Sequence, residues 1–336
     1  MKVLLLGGTG FVGTSVAGQL ADRGFSVTVP TRILIRARHL QVLPTVDVVE
    51  ADIHDSEQLE QLVCGHDAVI NLVGVLHDGK RGADGRGDFE RIHVDLPKRI
   101  AQACVSTGTP HFLQMSALNA RITGPSEYLQ SKDRGEAAVM EIARHHARLR
   151  VTFFRPSVIF GERDHFLNLF AGLVKFFPVI FLGSPEARFQ PVWVEDVARA
   201  IVGSLATEAP SGQSCDLVGP KEYTLRELLQ FVMGCLGKRR PVIGLGAGLS
   251  MMQAAVFERL PGRLITRDNV RSMSIPNVSA QPFPAQFGVP KSMESVVPAY
   301  LHGADIASGK NALEDGGNRE GRARYDRFRH GAGRDT

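Results

Sequence analysis

The chain has few cysteines, the residues that cross-link small secreted folds. Only four cysteines occur among 336 residues, and no two of them have C-x-x-C spacing. Cys64, Cys104, Cys215 and Cys235 also lack a histidine at metal-ligand spacing, so free thiols and no metal site are expected. The first apolar stretch is predicted to be a strand and not a signal peptide, which makes a reducing cytoplasm the expected location.

Long uninterrupted apolar runs and a strong charge imbalance are absent as well. Lys175, Pro178 and Gln253 interrupt the apolar segments 166–182 and 241–257, so neither segment is expected to cross a membrane. Two interpretations of these segments stay open: lining of the core and cleft, or an apolar mouth facing lipid, quinone or an isoprenoid-like substrate. A net charge of +4, without a basic stripe interleaved with aromatics, argues against a nucleic-acid partner.

The glycine-rich stretch GGTGFVG near the start is the most informative part of the chain. It follows the apolar run 3–6, which is typical of a buried parallel strand, and it leads into a helical apolar pattern. At such a junction the backbone N–H groups and the helix dipole bind phosphate, where any Cβ would obstruct close approach. The stretch predicts a dinucleotide site, with an ordinary turn as the alternative. The predicted contacts are Gly7, Gly10, Phe11, Val12 and Gly13.

Short β-branched or aromatic runs then alternate with helical patterns. The runs lie at 25–31, 46–51, 67–73, 111–116 and 150–155, and the helical patterns lie at 56–64, 90–106 and 126–148. This order predicts βαβ units, and therefore an α/β fold with a Rossmann-type, doubly wound parallel sheet.

The alternation stops after residue 162, which indicates a second, smaller unit. The predicted NAD(P)-binding Rossmann domain is 1–162 with 190–216, and the predicted C-terminal substrate-side domain is 163–189 with 217–302. Residues 303–336 are rich in glycine and in charges of both signs, and we expect a disordered tail there.

The end of the second predicted strand indicates which dinucleotide is bound. A carboxylate there would hold the ribose hydroxyls of NAD, but the sequence is Pro30-Thr31-Arg32, followed by Arg36 and Arg38. A guanidinium pairs bidentately with phosphate, so Arg32 predicts a preference for NADP(H) over NAD(H). NAD(H) binding, with the arginines in a merely solvated loop, is the alternative.

Later strand ends are expected to complete the cofactor site. Asp52 and Ile53 follow the third strand, where they would meet the adenine edge. Leu72, Val73 and Gly74 follow the fourth strand and would line the far side of the cleft.

A group of three residues predicts chemistry. Ser116 ends the fifth strand, and Tyr128 with Lys132 forms Y-x-x-x-K on a helix, where that spacing puts phenol and ammonium on one face. A nearby ammonium is expected to lower the tyrosine pKa, so that Tyr128 exchanges a proton with a substrate oxygen while hydride moves to or from the nicotinamide. Ser116 would hold that oxygen. Chance occurrence on a solvated helix is the alternative.

Taken in order, these motifs resemble the extended, atypical short-chain dehydrogenases/reductases of the epimerase/dehydratase type. RPSVIFG at 155–161 adds to the resemblance. Within that family the stretches SALNA, SKDRGEAAV, QPVWVEDVA, TRDNV and FGVPKSMESVVPAYL are most similar to the group around the nucleotide-binding accessory subunit of respiratory complex I and its bacterial relatives. The resemblance implies bound NADP(H), a fold like the sugar-nucleotide epimerases, and cofactor contacts from Lys132, Pro156 and Val158.

The resemblance also implies a choice of functions. One is redox chemistry on a small, fairly apolar carbonyl or quinone-like substrate. The others are a structural nucleotide-binding role beside a respiratory complex or membrane surface, a nucleotide sensor, and a nucleotide-sugar epimerase or dehydratase. A location peripheral to the inner membrane stays open beside the cytoplasm. Where many family enzymes have an asparagine for proton relay, this chain has His93-Val94, which puts an efficient relay in doubt.

Overall fold

The computed structural model describes residues 1–79, 85–206, 211–259 and 265–301, and the predicted tail at 303–336 lies outside them. The strands are β1 (Lys2–Leu6), β2 (Ser26–Thr31), β3 (Val46–Glu50), β4 (Ala68–Asn71), β5 (His111–Met115), β6 (Arg150–Pro156), β7 (Ile159–Phe160), β8 (Ile180–Gly183), β9 (Arg188–Phe189), β10 (Val192–Trp193), β11 (Gln213–Leu217), β12 (Tyr223–Thr224) and β13 (Val242–Leu245). The helices are α1 (Phe11–Asp22), α2 (Ser56–Val63), α3 (Leu96–Thr107), α4 (Glu127–His145), α5 (Phe166–Phe176), α6 (Val194–Ser204), α7 (Leu225–Cys235), α8 (Ala247–Phe257), α9 (Arg267–Ser272) and α10 (Met293–Leu301).

Seven strands form one parallel sheet in the order β11-β6-β5-β4-β1-β2-β3. The chain steps outward from β1 in both directions, which is the doubly wound arrangement, so the predicted α/β Rossmann-type fold class is confirmed. The order reverses between β1 and β4. In sheets of this kind, ligands bind beyond the carboxyl ends of the strands at that point.

Both faces of the sheet are covered, which is why its strands are apolar at successive positions. On β1, Val3 and Leu5 pack into one core cluster with α1 and α6, whereas Leu4 and Leu6 pack into a second cluster with α2, α3 and α4. All four side chains are fully buried. Parallel sheets with helices on both faces require such runs, and the strand predictions rest on them.

A third apolar cluster lies apart from these two. It joins α5, β8, α7 and α10 through side chains such as Leu167, Ile180, Leu228 and Val297. The division of the chain into two domains at the boundaries given above stays a prediction. None of the described helices is long and apolar enough to span a bilayer: α5 and α8, which carry the apolar segments, have 11 residues each.

The predicted helix at 90–106 differs from expectation in its first part. Glu90–Asp95 forms a π-helical turn before α3 begins. Pro97 has no N–H to donate to the carbonyl of His93, so the α-helical bond is lost at that position. The His93 carbonyl instead faces α4, where a Cβ on Gly135 would lie 1.9 Å from it. A proline four residues downstream and a glycine on the facing helix thus produce the widened turn.

The glycines in the turn after β1 are not equally necessary for its structure. Gly7 has φ +78°, a conformation that side chains rarely adopt, and a Cβ on Gly13 would lie 2.2 Å from the Gly7 carbonyl oxygen. A Cβ on Gly10 would meet only that same oxygen, at 3.2 Å. Gly13 is therefore required for α1 to pack against the turn, whereas Gly10 leaves its outer side open.

We expect Gly13→Ala to destabilise the protein by about 1–3 kcal/mol or more, because backbone must move to admit the methyl group. Gly10→Ala is the matched control and should change the free energy of unfolding far less. Chemical denaturation of the two variants measures the difference. Equal losses of stability would show that the close helix–turn contact is not the constraint.

Candidate active site

The site lies where the carboxyl ends of β1, β4 and β5 meet. The glycine turn touches the segment after β4, because a Cβ on Gly7 would lie 3.1 Å from the Val73 nitrogen and 3.2 Å from the Leu72 carbonyl carbon. Asn71, fully buried at the end of β4, holds that segment: its Oδ1 accepts the Val73 N–H at 3.1 Å, and its Nδ2 donates to Gln114 of β5 at 2.8 Å. Buried side-chain amides thus fix the edge that would face a dinucleotide.

Lys132 connects three parts of the site. Its Nζ donates to the Met115 carbonyl at 3.3 Å, lies 5.9 Å from the centre of the Tyr128 ring, and would be 3.2 Å from a Cβ on Gly74. A side chain at position 74 would crowd this ammonium. Burial lowers the pKa of Lys132 to about 8, and the nearby Glu136 carboxylate opposes that shift.

The expectation that Lys132 lowers the pKa of Tyr128 is wrong for this arrangement. Burial raises the pKa of the Tyr128 phenol to about 12. Desolvation disfavours the charged form of both groups, so it outweighs the attraction of an ammonium nearly 6 Å from the ring. Tyr128 is therefore held as a neutral phenol, which is a proton donor.

Ser116 follows β5 directly and is 3% exposed. Its Oγ is buried, and no hydrogen-bond partner for it occurs within the parts of the chain that the structure describes. Buried hydroxyl groups are nearly always paired, so an unpaired one on the residue after Met115, whose carbonyl accepts from Lys132, points to a ligand oxygen as its partner. Together with the open outer side of the glycine turn, this makes the residues present fit a nicotinamide dinucleotide and a substrate oxygen.

The other residues predicted to contact the cofactor lie around this edge of the sheet and differ in their exposure to solvent. Arg32 is exposed and close to the loop after β3: burial lowers the pKa of His54, Arg99 and Arg32 lower it further, and Asp52 opposes them. Asp52 also accepts the His54 N–H through Oδ1 at 3.0 Å. Arg32 and Asp52 therefore share the side of the site where the adenosine half of a dinucleotide is expected.

Three apolar contacts face partly inward. Val12 and Ile53 pack against the core clusters, which leaves mainly their backbone for a ligand. Phe11 packs near Gly161, where a Cβ would lie 3.2 Å from the Phe11 ring. Pro156 and Val158 flank the end of β6, and the Pro156 carbonyl accepts the Leu118 N–H at 2.9 Å.

His93, singled out in the sequence as a departure, lies directly behind Tyr128. It is 2% exposed, stacks on Phe89 with ring centres 5.3 Å apart, and meets the Tyr128 ring edge-on at 5.6 Å. Burial lowers the pKa of His93 to about 2, with a further contribution from Lys132, so the imidazole is neutral.

Both nitrogens of this imidazole are occupied. Nε2 accepts the Val75 N–H at 3.1 Å, so the proton is on Nδ1, which lies 2.9 Å from Ser131 Oγ. Ser131 in turn donates to the Tyr128 carbonyl at 2.8 Å. His93 therefore fixes the loop after β4 against α4 and has no free nitrogen to relay a proton.

Asp268 lies within the stretch TRDNV, and the sequence analysis predicts no structural role for it. Its carboxylate accepts the N–H groups of Glu127 and Tyr128 at 2.9 and 3.0 Å, and so caps the first turn of α4 from 140 residues away. A capping box formed by Thr266 and Asn269 begins the short helix that carries it. The Thr-x-x-Asn spacing could have indicated that helix, but not its contact with α4.

A cavity of about 450 Å³ opens beside this contact. Its lining is mixed in charge and includes Phe89, Glu127, Ala255, Arg259 and Asp268. The cavity shares Phe89 with the surroundings of Tyr128, since the ring centres of these two residues lie 6.0 Å apart. It is large enough for a small substrate and provides both acidic and basic contacts.

Comparisons with known proteins identify the family of the chain. The family model described as "NAD dependent epimerase/dehydratase family" matches residues 3–215. The chain is 32% identical over 236 residues to "NADH dehydrogenase (ubiquinone) 1 alpha subcomplex subunit 9, mitochondrial" of Mus musculus, and 29% identical over 239 residues to the "NADH-ubiquinone oxidoreductase 40 kDa subunit, mitochondrial" of Neurospora crassa.

These alignments cover 68% and 70% of this chain but only 60% of either relative. Among solved structures, a UDP-glucuronic acid 4-epimerase variant from Bacillus cereus, in complex with a fluorinated UDP-glucuronic acid and NAD, matches with a TM-score of 0.71 and 14% identity. That match covers 91% of this chain and all of the other one. At this identity it shows the fold alone.

The hydrogen bonds of His93 predict a specific pH dependence. The unfolded chain protonates this residue below about pH 6.5 and the folded protein only near pH 2, so its stabilisation is complete above pH 6.5 and is lost as the pH falls. His93→Asn should be less stable than the wild type near neutrality, by about 1–3 kcal/mol. That deficit should shrink by up to about 1.4 kcal/mol for each pH unit below 6.5.

Chemical denaturation of both proteins between about pH 5 and pH 7.5 tests this. His145→Asn, at a residue at the end of α4 whose side chain is 72% exposed, is the control and should follow the wild type. Parallel stability curves for the wild type and His93→Asn would contradict the buried neutral imidazole.

Proposed function

Because the chain belongs to the NAD dependent epimerase/dehydratase family, we propose that it binds NADP(H) and carries out redox chemistry on a small, fairly apolar carbonyl or quinone-like substrate. The observation that carries the proposal is the unpaired, buried hydroxyl of Ser116, which directly follows Met115, whose carbonyl accepts from Lys132. NAD(H) is the alternative cofactor, as in the solved epimerase complex.

The chemistry runs in the direction of reduction. The bound nicotinamide would supply a hydride to the substrate carbon. Ser116 holds the substrate oxygen, and Tyr128, neutral with a pKa of about 12, donates the proton that this oxygen needs. Lys132, with a pKa lowered to about 8, keeps much of its charge at neutral pH and stabilises the phenolate that remains.

A second function is favoured by the relatives. They are named as subunits of NADH dehydrogenase, and the chain spans 60% of their length. In this role the protein holds the nucleotide as a structural part beside a respiratory assembly, peripheral to the membrane. His93 supports this role, because both of its ring nitrogens are hydrogen-bonded within the protein. Without a free nitrogen at the position of the relay asparagine, reprotonation of Tyr128 is expected to be slow.

The NADP(H) assignment rests on Arg32. We expect the wild type to bind NADPH at least about tenfold more tightly than NADH, and Arg32→Ala to lose most of that preference. Loss of one charged contact to phosphate should cost about 1.5–3 kcal/mol. Isothermal titration with both nucleotides measures this.

Arg36→Ala, which removes the same charge from the same loop, is the matched control and should keep most of the preference. Equal affinities of the wild type for NADPH and NADH would contradict the assignment.

Tyr128→Phe and Gly10→Val separate the two functions. If the protein is a reductase, Tyr128→Phe should lower NADPH-dependent turnover of the carbonyl or quinone that the wild type reduces by about 10²-fold, because it removes the proton donor. Tyr223→Phe is the control, since that hydroxyl donates to Glu294 elsewhere in the fold. Gly10→Val should abolish NADPH binding under either function.

If the protein is a structural subunit, Tyr128→Phe should match the wild type in NADPH affinity, stability and association with respiratory subunits, while Gly10→Val fails all three. Steady-state assays on a panel of quinones and carbonyls, together with co-purification, give the readout. Wild-type behaviour of Tyr128→Phe in every assay that Gly10→Val fails would contradict the reductase.

A further inference from the structure

Exposed apolar side chains are concentrated on one part of the surface. Of the 14 large hydrophobic residues that are exposed within the described ranges, seven lie on the segments 176–181 and 243–256. We name them the apolar face: Phe176, Phe177, Phe181, Ile243, Leu249, Met252 and Val256. Clusters of this kind on a protein surface mark contacts with other molecules, whereas single exposed apolar residues do not.

Backbone pairing holds the centre of this face together. β8 and β13 run parallel, and Phe181 and Ile243 are paired across them, so their side chains point to the same side of this two-stranded sheet. Phe181 is 56% exposed and Ile243 48%. The neighbours of Phe181 on β8, Ile180 and Leu182, are buried in the third apolar cluster, so the other side of the sheet is already covered there.

Two helices extend the face on either side of this sheet. α5 ends beside it, where Phe176 is 83% exposed, and Arg240 donates to the Val174 carbonyl at 3.2 Å. α8 is held to β8 by Gln253, whose amide donates to the Phe181 carbonyl at 2.9 Å. The exposed residues of α8 follow i, i+3, i+7 spacing and share one stripe: Leu249, Met252 and Val256.

The two chain segments that carry this face have charges of one sign. The segments 165–185 and 238–257 contain no aspartate or glutamate, and their basic residues are Lys175, Lys238, Arg239 and Arg240. Of the acidic residues next to these segments in the sequence, Asp164 is buried, and Glu186 and Glu258 are paired with Arg226 and Arg267 at 3.5 and 2.9 Å. The face is thus apolar with a cationic border.

We propose that the apolar face docks on an anionic lipid bilayer. Aromatic and aliphatic side chains would enter the boundary between headgroups and acyl chains, and the lysines and arginines would meet lipid phosphates. This inference deepens the second proposed function by naming the surface that meets the membrane, and it rests on that function for the presence of a membrane partner.

Other occupants of the face are less compatible with its charge. A second copy joined through the same face would bring two cationic borders together. The segment 303–336 has only four large apolar residues, and its seven lysines and arginines offset its six aspartates and glutamates, so it offers an apolar, cationic surface little complement. An anionic bilayer complements both properties.

Vesicle co-sedimentation of the full chain tests the proposal, with NADPH affinity measured on the same samples. We expect binding to vesicles of equal parts phosphatidylcholine and phosphatidylglycerol, and at least about tenfold weaker binding to phosphatidylcholine alone. The double variant Phe176→Ser/Met252→Ser should lose at least about tenfold in binding to the anionic vesicles. Its NADPH affinity and Tm should stay at the wild-type values.

The matched control is Ile122→Ser/Val289→Ser, which removes two equally exposed apolar side chains from elsewhere on the surface and should bind vesicles like the wild type. Absent binding by the wild type, or equal binding by both double variants, would overturn the proposal. So would light scattering that shows a wild-type dimer and a monomeric Phe176→Ser/Met252→Ser variant. Failure of NADPH binding in the wild type would instead count against the proposed cofactor, because it is read independently of vesicle binding.

Discussion

The close approach of α1 to the turn after β1 is the constraint on which the site depends. Only glycine fits at position 13, because a Cβ there would lie 2.2 Å from the Gly7 carbonyl oxygen. That contact lets the first helix start directly beyond the strand and directs its N-terminal N–H groups to the sheet edge. It also presses Gly7 against Leu72 and Val73, so the ends of β1 and β4 meet at one place. A phosphate site and the switch point of the sheet therefore coincide.

The sheet and its edge could be predicted because local signals determine them. Buried parallel strands require apolar residues at successive positions, and the runs beginning at Val3, Ala68 and His111 show them. Because Gly74 and Ser116 follow the ends of parallel strands, they are predicted to lie at the same edge of the sheet. The π-helical turn was missed because it depends on Pro97 acting together with Gly135, a partner on another helix. The residue pattern of a single segment cannot indicate a contact with a residue on another helix.

The tyrosine pKa could not be predicted for a related reason. Spacing gave the proximity of Lys132 to Tyr128, but the depth of burial depends on what packs around the pair. Phe89 and His93 enclose the phenol ring, and Asp268 fixes its helix from a distant part of the sequence. Desolvation from this packing exceeds the effect of one ammonium, so the same three site residues favour a neutral acid instead of a phenolate.

One helix belongs to both the site and the apolar face. Ala255 of α8 lines the cavity together with Phe89 and Asp268, while Met252 and Val256, on neighbouring positions, are exposed on the apolar face. The next helix, α9, caps α4 through Asp268. A molecule held against the apolar face would thus contact the same helix that borders the cavity. If an apolar substrate comes from a bilayer, it would leave the membrane at the apolar face and enter the cavity, and α8 borders both. A redox site and a peripheral membrane location then need not be alternatives.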